Sequence, residues 1–133
     1  MEILIVAHGR LSEGMVSALD IIVGVDEKIT FINAFTDEIP IKVKIDEYLE
    51  SRENVLVFTD ILSGSVNQAV LQHIYTKKLK IVTGMNLPLV LELVLMNKAG
   101  DISEDLIRSS IKSSQLQIAY VNDAIREIKE DDF

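Results

Sequence analysis

Apolar residues along this chain recur in two rhythms. Short unbroken runs, such as Ile3-Leu4-Ile5-Val6-Ala7 and Val55-Leu56-Val57-Phe58, alternate with longer stretches in which apolar side chains return every three or four positions. The first rhythm suits strands buried on both faces, and the second suits helices packed over them. Their alternation reads as successive βαβ units. The expected fold class is an α/β protein with an open, doubly wound, mostly parallel sheet in the order 2-1-3-4.

The same pattern sets the element boundaries. Strand 1 runs from Glu2 to Ala7 and feeds a helix opening near Ser12-Glu13, with Met15, Val16, Leu19, Ile22 and Val23 as its apolar stripe and Gly24 as its stop. Strand 2 is Ile29 to Phe35; Pro40 then opens a helix to about Ser51, with Ile41, Ile45 and Leu49 four apart. Strand 3, Asn54 to Thr59, passes through Asp60-Ile61-Leu62-Ser63-Gly64-Ser65 into a helix from about Val66 to Lys77. Strand 4 is Leu79 to Thr83. A helix follows from Leu87-Pro88, Gly100 ends that segment, and Ser103 caps another from Glu104 to about Ser113. From Gln115 to Val121 the pattern alternates, with Leu116, Ile118 and Tyr120 on one face, which predicts a half-exposed antiparallel edge strand. The acidic run Glu130-Asp131-Asp132 reads as a solvated terminus.

Composition narrows the function. A chain of 133 residues is expected to form one domain spanning 1–133. With 13 basic against 21 acidic residues, a net charge of −8 and no Lys/Arg cluster, nucleic acid is not an expected partner. No cysteine and only two, widely spaced histidines exclude thiol chemistry and any recognisable zinc pattern, so neither metal nor cofactor is expected. The short apolar start runs into His8-Gly9-Arg10, not a cleavage site, and no stretch approaches a membrane span. The expectation is a soluble, cytoplasmic protein.

In an open parallel sheet, ligands bind beyond the carboxyl ends of the strands, where successive connections leave for opposite faces. Those ends carry His8-Gly9, Thr36-Asp37, Thr59-Asp60 and Thr83-Gly84-Met85-Asn86. With strands 1 and 3 adjacent, His8 and Asp60 flank the switch point. A carboxylate accepting Nδ1–H from the imidazole leaves the lone pair on Nε2, free to act as a nucleophile. Ser63-Gly64-Ser65 at a helix start offers hydroxyls, amides and a permissive glycine to a phosphate held there, and Gly9 is expected to share in binding that phosphate. A histidine at a strand end is by itself more often structural; its conjunction with Asp60 and the Ser-Gly-Ser turn reverses that reading. His73, inside the third helix, reads as structural or solvated. Gly84 to Pro88 is a tight turn or part of a docking surface, and Asp37 and Arg10 share the rim.

Three motifs, IVAHG (Ile5 to Gly9), FTDILSGSVNQ (Phe58 to Gln68) and TGMNLPLVLE (Thr83 to Glu92), carry a resemblance that spans nearly the whole chain. The chain resembles the mannose-family IIA domain of the bacterial phosphoenolpyruvate-dependent sugar phosphotransferase system. That resemblance implies that His8 accepts phosphate from the histidine phosphocarrier protein and passes it to a IIB component, which serves a membrane permease. It implies that Asp60 holds the histidine ring, that Ser65 lies near the phosphate, and that the protein is a homodimer exchanging the strand Gln115 to Val121. Ser63 departs from the family, which has glycine there, and Val66-Asn67-Gln68 replaces its common Pro-Phe-Asn. A positive φ at Ser63 would be strained.

Two other readings share the fold. A receiver-like signalling domain would use Asp60 as phosphoacceptor, but such a domain needs acidic Mg²⁺ ligands after strand 1, where this chain has His8-Gly9. The phosphoryl-donor subunit of dihydroxyacetone kinase resembles the same fold and also uses a histidine.

Overall fold

The structure, a computed structural model, describes residues 1–131, with side chains described through Arg126; the acidic run from Glu130 to Asp132 lies outside those side chains. The elements follow the order β1 (Glu2–His8), α1 (Leu11–Val23), β2 (Ile29–Ala34), α2 (Ile41–Leu49), β3 (Asn54–Thr59), α3 (Ser65–Leu71), β4 (Lys78–Val82), α4 (Leu87–Asn97), α5 (Glu104–Gln115) and α6 (Val121–Asp131). Among the described residues the four strands form one sheet, all parallel, in the order β2-β1-β3-β4.

Alternate residues of each strand point to opposite faces, and here both faces are apolar. Ile3, Ile5, Leu56, Phe58 and Val82 pack with Leu19 of α1, with Leu89, Val90, Leu93 and Val94 of α4, and with Ile107 of α5. Leu4, Val6, Val55 and Val57 pack on the other face with Ile41, Ile45 and Leu49 of α2 and with Val66 and Val70 of α3. Residues 3–7 of β1 and 55–59 of β3 are buried between these layers. Each fully buried Leu, Ile, Val or Phe contributes roughly 1.5–3 kcal/mol, so the carboxyl ends of β1 and β3 project from the most firmly held part of the molecule.

Two elements differ from the sequence pattern. α3 stops at Leu71 and continues to Lys77 as tight turns, with His73 N–H donating to the Val70 carbonyl at 3.0 Å and Ile74 N–H to the Leu71 carbonyl at 3.2 Å. Ile74, Tyr75 and Thr76 are weak helix formers, so the last turns tighten where tertiary packing runs out. The second difference corrects the expected edge strand Gln115 to Val121. α5 runs on through Gln115, Leu116 N–H donates to the Ser113 carbonyl at 3.2 Å, Gln117 N–H donates to the Ser114 carbonyl at 3.1 Å, and α6 starts at Val121. An alternating pattern becomes a strand only where a neighbour accepts its main-chain hydrogen bonds; here local turns accept them instead. No helix among the described residues is long and apolar enough to cross a membrane.

Candidate active site

β1 and β2 remain in register as far as the pair His8 and Ala34, and Gly9 N–H donates to the Ala34 carbonyl at 2.8 Å. On the other side the β1–β3 ladder ends at Val6 and Thr59. There the chains part, β1 toward α1 on one face and β3 toward α3 on the other. Gly9, at φ +60°, makes the turn immediately after His8, a conformation that costs glycine little.

Because β3 has already turned away, the next β1 amide facing it has no carbonyl to meet. Asp60 supplies the acceptor: its Oδ2 takes the His8 main-chain N–H at 2.9 Å and also contacts His8 Nδ1 at 2.9 Å. Its Oδ1 accepts the Ile61 N–H at 3.0 Å. The Asp60 side chain is 8% exposed and the His8 ring 42%. Burial, the strongest influence on Asp60, pushes its carboxyl up, but the hydrogen bonds from the His8 amide and ring, with the ring's charge, together hold it below its ordinary value. An ionised carboxylate has no proton to donate, so Nδ1 carries the hydrogen, and in the uncharged tautomer Nε2 keeps its lone pair.

Gly64 approaches from the α3 side. A Cβ built there would lie 3.4 Å from His8 Cε1, so the missing side chain leaves the ring its space. The Gly64 N–H is engaged in the turn, donating to the Ile61 carbonyl at 3.3 Å. Ser63 and Ser65 flank Gly64, both exposed, and make no hydrogen bond to His8 or Asp60 among the described residues. Ser63 does not have a positive φ, so it fills the family's glycine position without the strain considered above.

The turn is held by a residue that the sequence reading passed over. Buried Asn67 donates from Nδ2 to the Leu62 carbonyl at 2.9 Å and accepts the Thr59 hydroxyl at 3.0 Å, tying the Asp60–Ser65 loop to the end of β3. A polar residue on the inward side of a short apolar helix was the available signal. A second omission is Phe35, whose ring lies against His8 with centroids 5.2 Å apart and planes at 38°.

The remaining rim residues are occupied elsewhere. Asp37 pairs with Lys44 at 2.8 Å and accepts the Ile39 N–H at 3.0 Å, and the Lys44 bond holds its carboxyl below the ordinary range. Arg10 is exposed at the start of α1. Met85 N–H donates to the Thr59 carbonyl at 3.2 Å and Asn86 caps α4 through Leu89 N–H at 2.9 Å, so Gly84 to Pro88 forms a strand-to-helix turn braced against β3. Among the described residues, no group of three or more His, Asp or Glu side chains has the arrangement of a metal site.

A family model described as "PTS system fructose IIA component" matches residues 2–110. Among solved structures, the chain is similar to phosphotransferase system component EIIA of Streptococcus agalactiae, at 29% identity, with 91% of this chain and 97% of that one covered and a TM-score of 0.79. It is also similar to a Klebsiella pneumoniae protein described as a phosphoenolpyruvate-dependent sugar phosphotransferase system permease, at 25% identity, 93% coverage of both chains and a TM-score of 0.85. The mannose/sorbose specific IIA subunit from Enterococcus faecalis shares the fold at 21% identity, with 89% and 92% covered and a TM-score of 0.72.

Proposed function

This chain belongs to the fructose/mannose IIA component family of sugar phosphotransferase systems, a family of phosphotransferase components, and from that premise we propose that it carries phosphate on His8. The observation that carries the reading is the bond from His8 Nδ1 to Asp60, which leaves Nε2 as the free, half-exposed nucleophile.

In this reading the Nε2 lone pair attacks the phosphorus of the phosphohistidine on the histidine phosphocarrier protein. The new N–P bond forms as the donor's N–P bond breaks, and that electron pair returns to the donor nitrogen. His8 then bears phosphorus on Nε2 and hydrogen on Nδ1, so its ring is an imidazolium, and ionised Asp60 balances the charge it gains. The reverse displacement, with a IIB component as acceptor, restores the neutral ring. The Ser63 and Ser65 hydroxyls and the first amides of α3, which flank Gly64 along the chain, are the proposed donors to the phosphate oxygens, with Gly64 leaving the ring its space. Both Asp60 oxygens already accept hydrogen bonds, which disfavours Asp60 as the phosphoacceptor.

We also propose a cytoplasmic homodimer of this single domain. Leu116, Ile118, Tyr120, Val121 and Ile125 form an exposed apolar stretch, and a second copy would cover it. Light scattering over a range of concentrations tests that part.

Intact-protein mass measurement after incubation with phosphoenolpyruvate and the general carrier proteins tests the function. One phosphate is expected on the wild type and none on His8→Ala; labelling retained in His8→Ala overturns the reading.

A further inference from the structure

Among the described residues Phe35 is the only non-glycine with a positive φ, +64°. It is the first residue past β2, directly after Ala34, the register partner of His8. An aromatic residue is disfavoured in the left-handed region, where glycine or asparagine sits more easily. Burial does not explain the choice, since Phe35 is 57% exposed. What the left-handed turn achieves is contact between the phenyl ring and His8, at 5.2 Å between centroids and 38° between planes. A strained residue in contact with the proposed nucleophile suggests a role in its chemistry.

We propose that Phe35 is a positioning residue that sets the plane of the His8 imidazole, an inference that rests on His8 being the phosphoryl acceptor. The bond from Nδ1 to Asp60 fixes one atom of the ring but leaves rotation about that contact. Phe35 against the ring is a contact off that axis, and it confines the direction of the Nε2 lone pair. In-line displacement at phosphorus is sensitive to that direction. The separation also falls within the roughly 6 Å range over which an aromatic face attracts a cation. The ring becomes cationic when Nε2 is phosphorylated, so the same contact favours the phosphorylated state.

Two variants test this. Phe35→Leu keeps apolar bulk and loses the aromatic face; Phe35→Gly loses the side chain and accepts the left-handed backbone without strain. In both, the single-turnover rate of phosphate uptake at saturating phosphorylated carrier is expected to fall about 10-fold, with the half-saturating carrier concentration unchanged. NMR relaxation of the His8 ring in the unphosphorylated protein is expected to report a ring more mobile than in the wild type. A full saturating rate in both variants overturns the proposal. A defect confined to the half-saturating concentration also overturns it, because Phe35 would then anchor the partner. Were the wild type to take no phosphate on His8, the function above would fall, while ring mobility would still judge Phe35: loosening in both variants upholds positioning, and unchanged mobility refutes it.

Discussion

His8 and His73 each meet an aspartate, at 2.9 Å and 2.6 Å, and the closer pair has the less to offer chemically. At His73 the contact is through Nε2, the outer nitrogen, so the far end of the ring is spent on Asp46. That carboxylate also takes Lys42 at 3.3 Å and is 40% exposed, and the pair clips α2 to the turns after α3. At His8 the inner nitrogen is tied, the carboxylate is buried and dedicated, and the outer nitrogen faces the rim. A histidine–aspartate contact is therefore not a site by itself. Which nitrogen is bound, and what lies beside the other, decides.

Replacing Asp60 by Asn should separate the pairs most sharply. An amide can present the wrong hydrogen-bonding sense to Nδ1, and loss of such an orienting partner typically costs 10- to 100-fold. Single-turnover transfer to Asp60→Asn should slow by about that factor; an undiminished rate would remove Asp60 from its role. Gly64→Val is the next largest. The backbone there, at φ −80°, admits any residue, but the new side chain meets the imidazole, so transfer should drop about 10-fold while circular dichroism stays unchanged.

Acid provides a third test. The folded-state value of Asp60 lies below its ordinary 3.8, so its ionised form favours the fold; that contribution is complete above the ordinary value and disappears as pH falls through the lowered one. Urea midpoints of the wild type and Asp60→Asn should differ at about pH 6 and begin to converge only below the ordinary value of 3.8, as pH falls through the lowered one. The smallest effect belongs to the other pair. His73→Gln should leave transfer at the wild-type rate and lower stability by less than about 1 kcal/mol in urea unfolding, as for other half-exposed ion pairs. A large transfer defect there would erase the contrast.

The strand ends and their order were legible because β1 and β3 are apolar on both faces, a pattern that only a doubly covered parallel sheet accommodates. His8 and Asp60 followed from that order, being the polar residues where adjacent strands stop. The partner of His73 was not legible, because Asp46 lies 27 residues away on another helix and nothing local marks it. Phe35 was hidden for a different reason. It extends the apolar rhythm of β2, and only the sign of its φ reveals that the chain has already turned. Asn67 was passed over as part of a helix start. Leu116, Ile118 and Tyr120 misled because period-two spacing records which side chains share a face, while strand formation depends on a neighbour that local sequence cannot supply.

Asp60 grips the main chain of residue 8 as well as its side chain, with the same oxygen and at the same distance. The acid's aim is thus inherited from the peptide backbone and survives whatever is attached to that α-carbon. Trimming the ring away would leave a charged fitting still pointed into an empty berth.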